Sequence, residues 1–261
     1  MNQWTVGNAR FTAITDGVIR MEYTKDAVFA DGATLFANRS CPAAGAAFTQ
    51  EGDIVTIATK KLTLTYRVGA PFAPESLSAK IHTGKVETTW KYGDKNENNL
   101  GGTLATLDGV DGHRPLPDGL LSRDGWHVID DSGTPVFVDG WLQCRSQEHL
   151  CDLYLFAYGH DYPAALQDLA FVSGKMALPR KYALGSWYSR WWRYSAEQFL
   201  QLVDEYDAND FPLDILVMDM DWHYQDWGYE EGDPRALYGY GHAGGNLGWT
   251  GYTWNRREIP D

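Results

Sequence analysis

A chain of 261 residues, 44% of them hydrophobic and 22% charged, has a globular composition and is long enough for one large domain or two ordinary ones. Its formal net charge of −13 argues against nucleic acid and anionic membrane as partners, because a polyanion is repelled over most of such a surface. Three cysteines, Cys41, Cys144 and Cys151, lack metal-type spacing, and the start Met1-Asn2-Gln3-Trp4-Thr5 has neither the basic nor the apolar part of a signal peptide. Reduced thiols in a cytoplasm are the expectation, and no window reaches the length of apolar chain that spans a membrane.

In chain order, the first half reads as strand after strand. Arg10 to Thr15 and Val18 to Tyr23 flank Asp16-Gly17, a pair suited to a two-residue hairpin turn with positive φ at both positions. Ile54 to Thr59 and Leu62 to Val68 form a second pair, in which Leu62, Leu64 and Tyr66 alternate with Thr63, Thr65 and Arg67 as a half-buried strand requires. Ile81-His82 and Val86 to Trp90 follow. Between Lys91 and Asp124 the pattern dissolves into Gly, Asn, Asp and Pro, a stretch long enough for a functional loop. Strands resume at Trp126 to Ile129, Pro135 to Val138 and Leu153 to Tyr158. Short strands with turn signals between them predict a β-sandwich.

The period then changes. Asp161-Tyr162-Pro163 has the form of a helix start, Leu166, Leu169 and Ala170 follow at helical spacing, and Ser173-Gly174 stops the pattern. Beyond Pro179-Arg180, Tyr182 to Tyr188 reads as a strand. Ser195-Ala196-Glu197-Gln198 is a capping box, and Phe199, Leu202, Val203 and Tyr206 form the stripe of a helix lying on a sheet. The run Ile215-Leu216-Val217-Met218 then reads as a strand buried on both faces. Strand, helix and strand in this order begin an α/β barrel or an open parallel sheet.

That last run ends in Asp219-Met220-Asp221-Trp222-His223. Ligands meet the carboxyl ends of strands in such sheets, and two aspartates two apart point to one side while the chain stays extended. Asp221 suits an N-cap or structural carboxylate equally well; Asp219 is the functional candidate. Seven of the eleven tryptophans follow residue 186: Trp187, Trp191, Trp192, Trp222, Trp227, Trp249 and Trp254. Flat rings beside carboxylates suit a sugar, whose C–H faces stack and whose hydroxyls take hydrogen bonds. Trp187 is expected simply to pack between strand and helix. The six glycines between Gly239 and Gly251, around His242 and Asn246, mark a loop that lacks the lysine and following helix of a phosphate cradle.

Several segments together carry a resemblance. Leu184-Gly185-Ser186-Trp187-Tyr188-Ser189-Arg190-Trp191-Trp192, Phe211-Pro212-Leu213-Asp214 with Val217-Met218-Asp219-Met220-Asp221-Trp222-His223, and Trp249-Thr250-Gly251-Tyr252-Thr253-Trp254-Asn255 resemble glycoside hydrolase family 31, the α-glucosidase and α-xylosidase family. Asn99-Leu100-Gly101-Gly102-Thr103 with Leu107-Asp108, and Asp118 to Trp126, resemble the same family's amino-terminal sandwich. The resemblance implies a galactose-mutarotase-like β-sandwich over residues 1–160, a linking helix and connector over 161–180, and the first part of a catalytic (β/α)8 TIM barrel over 181–261. It implies a retaining, exo-acting glycosidase that needs no cofactor.

Retaining glycosidases work with two carboxyl groups about 5 to 5.5 Å apart, which the family carries on later barrel strands, so no catalytic residue is expected before Asp261. The resemblance assigns Asp219 to hydroxyl recognition in subsite −1 and Met220 to the apolar wall beside it. Trp191 and Trp254 become aromatic substrate contacts, and Asp108 a carboxylate on a sandwich loop that reaches over the site. The implied partner is an α-linked carbohydrate; choice of sugar and oligomeric state are not legible. Two other readings stay open at this point. Asp219-Met220-Asp221 is also the form in which nucleotide-sugar glycosyltransferases hold a divalent ion, with His223 as a further ligand, and the chain could be a non-catalytic carbohydrate-binding fragment.

Overall fold

The computed structural model describes residues 2–39, 45–84, 86–104, 106–145, 151–192, 194–219, 222–223, 254–256 and 258–260. The chain divides into two compact units, residues 1–176 and 177–261. It is mostly β-sheet with few helices. Among the described residues no helix is long and apolar enough to cross a membrane.

The first unit begins with β1 (Gln3–Val6), β2 (Ala9–Thr15), β3 (Val18–Tyr23), β4 (Ala47–Glu51), β5 (Ile54–Ala58), β6 (Leu62–Arg67), β7 (Leu77–Thr83) and β8 (Val86–Lys91). After the long irregular stretch come β9 (Trp126–Asp130), β10 (Val136–Val138), β11 (Trp141–Gln143), β12 (Cys151–Ala157) and helix α1 (Tyr162–Ser173). Two five-stranded antiparallel sheets result, in the orders β1-β2-β3-β12-β9 and β4-β5-β6-β7-β8. Their facing side chains share one apolar cluster: Phe11, Ile19, Met21 and Leu155 from one sheet meet Val55, Ile57, Leu64, Tyr66 and Trp90 from the other. In β6 the expected alternation is present, with Leu62, Leu64 and Tyr66 buried and Thr63, Thr65 and Arg67 less so.

Strands β2, β3 and β12 do not alternate; nearly every residue is buried. Their second face is covered as well. An apolar part of it, Val18, Tyr154 and Phe156, packs with Ala37 and with Ala165 and Val172 of α1. The buried face of α1 is therefore Ala165, Leu169 and Val172, at i, i+4 and i+7, and Leu166, expected on it, is exposed. Helix α1 otherwise starts and stops where its sequence indicates, with Asp161 accepting from the Ala164 amide at 3.2 Å and Gly174 ending it at φ 91°.

The remainder of that second face holds charge. Register sets Arg10, Glu22 and Asp152 directly across from one another on β2, β3 and β12. Two carboxylates side by side on neighbouring strands repel, and arginines offset that repulsion. Arg10 grips Glu22 through Nε and Nη2 at 2.7 and 2.8 Å, and Arg20 grips Asp152 through the same pair of atoms at 2.8 and 3.0 Å. Arg39 and Arg145 each reach both Asp131 and Asp152, and Arg39 also donates to the Tyr154 hydroxyl. Burial works against ionisation of Asp152, yet Arg20 and Arg39 overcome it and hold the carboxyl below the usual range. Glu22 is pushed upward, chiefly by burial.

Several expectations are corrected here. The β2–β3 turn is at Asp16-Gly17 as expected, but neither residue has positive φ. The strand register shifts between Ala13 and Thr15, just before the turn, and glycine is required at 17 because a Cβ would press on the Ala157 carbonyl oxygen and the Asp168 carboxylate. The φ values expected there occur in Asp139 and Gly140, at 49° and 83°, which close the β10–β11 hairpin. Its second strand had no signal of its own, and neither did β1 or β4. Tyr182 to Tyr188 is not one strand. Lys181–Leu184 is a 3-10 turn held by Ala183 and Gly185 amides bonding three residues back, leaving only the two-residue β13 (Trp187–Tyr188). The glycine-rich 239–251 stretch lies outside the described residues.

Asp152→Asn removes one charge from a buried, paired network, for which about 3–5 kcal/mol of stability is the expected loss. The pH dependence has a defined sign. Because its native pKa is lowered, Asp152 contributes stability that is full above about pH 4 and is lost as the pH falls through the depressed native value. Thermal melts of wild type and Asp152→Asn between pH 2 and 7 should therefore converge only at the acid end.

Candidate functional site

The second unit is built around β13, helix α2 (Ala196–Ala208) and β14 (Ile215–Leu216). The capping box is formed: Ser195 Oγ accepts from the Gln198 amide at 3.3 Å, and Gln198 Oε1 accepts from the Ser195 amide at 2.9 Å. Phe199, Leu202, Val203 and Tyr206 are the half-buried stripe of α2, and the Tyr206 ring meets the edge of Tyr188 on β13 at 5.8 Å. After the Asn209 cap, Asp210 takes a left-handed φ of 56°, which turns the chain back toward the sheet.

Asp214 fixes where β14 begins. Its carboxylate accepts from the Ser186 amide at 2.8 Å, while the Asp214 and Ile215 amides both donate to the Ser186 carbonyl. Gly185 is what allows that approach, since a Cβ there would overlap the Asp214 carboxylate. Pairing then runs parallel, Trp187 with Ile215 and Tyr188 with Leu216, and the Val217 amide still donates to Tyr188 at 2.9 Å. A parallel pair joined through a helix is the expected strand-helix-strand unit. β14 is half-buried rather than buried on both faces, and it has one neighbouring strand among the described residues.

Both strands release their chains at the same end. Trp191 follows β13 by three residues and Asp219 follows β14 by three, and the ladder itself ends at Tyr188 and Leu216. Asp219 is half-buried and the Trp191 indole is 63% exposed. Beside them the Arg190 guanidinium lies 4.5 Å over the Trp192 ring, and the Tyr188 and Tyr194 hydroxyls are 2.6 Å apart. Trp187 does not pack as expected: it is 54% exposed, with its indole N–H satisfied by the Ala183 carbonyl at 3.0 Å.

The chain beyond β14 returns through an antiparallel bridge between His223 and Trp254, with the Asn255 amide donating to the Trp222 carbonyl at 2.8 Å. Trp222 and Trp254 rings lie 5.1 Å apart at 59°, and Trp254 keeps 42% of its surface exposed. The Glu258 carbonyl accepts from the Ala196 amide, tying this segment to the start of α2. His223 is buried, and its Nδ1 has no hydrogen-bond partner among the described residues. Asp108 belongs to the first unit, on an exposed turn where its amide donates to Thr106 Oγ1. Met220 and Asp221 lie outside the described residues, as do Trp227 and Trp249. Among the described residues no group of three or more His, Cys, Asp or Glu is arranged to hold a metal ion.

Positioning residues were harder to read in advance than the contact candidates. Asp214 and Gly185 carry no periodic signal; their only cue is a carboxylate directly before an apolar run and a glycine directly before a short strand. The Tyr188, Arg190 and Tyr194 group could have been sought from the aromatic density of that stretch.

Residues 176–261 match the family model described as the glycosyl hydrolases family 31 TIM-barrel domain. The resemblance to glycoside hydrolase family 31 read from the motifs is thus borne out in that segment. No curated protein matches the chain. Among solved structures, a family 31 dextranase from Flavobacterium johnsoniae complexed with glucose is similar at 16% identity and a TM-score of 0.54, covering 84% of this chain and 32% of that one. A family 31 alpha-xylosidase from a soil metagenome complexed with xylose is similar at 12% identity and a TM-score of 0.55, over 99% of this chain and 43% of that one. A xylosidase from Aspergillus niger is 13% identical with a TM-score of 0.56, over 99% of this chain and 41% of that one. At these identities the likeness is one of fold, and this chain spans less than half the length of each.

Gly185→Ala tests how the site edge is positioned. Overpacking against Asp214 should cost about 1–3 kcal/mol locally. The Val217 amide should then exchange with solvent about tenfold or more faster, with β12 amides unchanged.

Proposed function

We propose that this chain is the amino-terminal part of an α-glycoside hydrolase of family 31, with residues 1–160 a galactose-mutarotase-like β-sandwich, 161–180 a linker and 181–261 the opening strands of a (β/α)8 barrel. The observation that carries the reading is the family match over 176–261, which falls on a parallel strand-helix-strand unit with Asp219 just past its carboxyl end. Ligands of parallel α/β folds gather at that end. In this reading Asp219 accepts hydrogen bonds from sugar hydroxyls in subsite −1, with Met220 beside it. The exposed indoles of Trp191 and Trp254 present π-faces to the C–H side of the ring. An α-glucoside or α-xyloside is the substrate class. The nucleophile and the acid are carboxyl groups of later strands, so hydrolysis proceeds through a glycosyl-enzyme intermediate and needs no metal.

Two measurements test this. The 261-residue chain should leave aryl α-glucosides and α-xylosides uncleaved, because binding groups alone cannot supply the covalent route; turnover that survives rigorous purification would refute it. In a protein that joins this segment to a closed barrel, Asp219→Asn keeps shape and removes charge. Loss of charge-assisted hydrogen bonds worth about 1.5–3 kcal/mol should lower kcat/KM by roughly one to two decades. The melting temperature should barely move. Full kcat/KM with a melting point several degrees lower would make Asp219 a structural carboxylate.

A further inference from the structure

Carboxylates outnumber cations in this chain, yet Arg190 makes no ion pair within 4 Å among the described residues. Its partners are rings instead. The guanidinium lies 4.5 Å over the Trp192 ring, and it interacts with the hydroxyls of both Tyr188 and Tyr194, which are 2.6 Å apart. A guanidinium suits this task, because one planar group can stack on an aromatic face and still direct N–H donors at oxygens lying in its own plane.

Those two tyrosines are the fixed points of the chain between β13 and α2. Tyr188 ends β13, with its ring against Tyr206 of α2 at 5.8 Å. Tyr194 directly precedes the Ser195 cap, with its ring 4.9 Å from Phe199. The two tyrosine rings are 6.4 Å apart, edge to face, and the bond between their hydroxyls closes the pair. Arg190, Trp191 and Trp192 lie between these points in the chain. The contacts of Arg190 therefore reach from the tyrosine pair to the residue just past Trp191, and brace the Trp191 backbone from both sides. The Trp191 indole itself is exposed, open to a ligand. An exposed cation–π contact adds little to stability, so what this arrangement supplies is geometry.

We propose that Arg190 is a positioning residue for Trp191: it ties the segment that carries the indole to the hydroxyl pair at its base, and so fixes the angle at which that ring meets a sugar. The inference rests on the glycosidase reading for its substrate and on the side-chain contacts for its mechanism, and the two are tested separately. In the 261-residue chain, the Trp191 indole N–H signal reports whether the ring is held. Arg190→Met should shift that signal and increase its motion at an unchanged melting point, because Tyr206 and Phe199 still hold the tyrosine rings. If that variant melts lower, Tyr194→Phe removes one hydroxyl, keeps the ring packing and should disturb the same signal. In a protein that joins this segment to a closed barrel, Arg190→Met should lower kcat/KM on an aryl α-glycoside about tenfold or more through the misplaced ring. Arg190→Lys keeps the charge without the planar fork and should fall between. In a Trp191→Ala background, Arg190→Met should cost almost nothing further, since residues that act through one another are not additive. An undisturbed Trp191 signal overturns the proposal. So does a full further loss in the Trp191→Ala background, which would make Arg190 a substrate contact in its own right. Absence of turnover by the parent of these variants would instead overturn the glycosidase reading, and the indole signal would still decide whether Arg190 holds the ring.

Discussion

Asp152 lies across from Glu22 in the middle of a buried sheet face, and the first unit is arranged around keeping those two carboxylates apart in energy though adjacent in space. The strand register creates the problem, because a pleated sheet puts every second residue on the same face. It also limits the remedy. A slip of one residue would drive Glu22, Arg20 and Asp152 into the apolar layer with Met21 and Leu153, so the charge network and the core specify the same register. Arg20 ties residues 132 positions apart, and Arg39, Asp131 and Arg145 bring two loops onto the same point. Several elements distant in sequence thus converge on one electrostatic requirement.

The second unit depends on a different and lighter device. A single carboxylate, Asp214, captures the Ser186 amide and starts a two-residue parallel ladder, and Gly185 is absent a side chain so that it can. No residue of α2 is buried, and Phe211, Leu200 and Met218 remain exposed. Apolar stripes of this kind stabilise a helix only when a partner surface covers them. The local geometry is nevertheless enough to set the direction in which Tyr188 and Val217 hand over to the residues that follow.

Local features were legible in the sequence wherever one residue's chemistry acts on its immediate neighbours. The Ser195 capping box, the Asp161 cap, the Gly174 stop, the alternation of Leu62 to Arg67 and the strand-helix-strand order from Trp187 to Leu216 all follow from spacing of a few residues. The motifs carrying Asp219, Trp191 and Trp254 were legible for the same reason, since each is a short contiguous string. Tertiary structure alone decided the rest. Strands β2, β3 and β12 lose their alternation because a second layer covers them, and Leu166 leaves the buried face because α1 meets that layer along Ala165, Leu169 and Val172. The Asp16-Gly17 turn takes its form from the carbonyl of Ala157, some 140 positions away in a chain where Gly17 must pass beneath it. Which polar side chains pair, as Arg20 does with Asp152, is a property of contacts between segments far apart in the chain, and no local pattern encodes it.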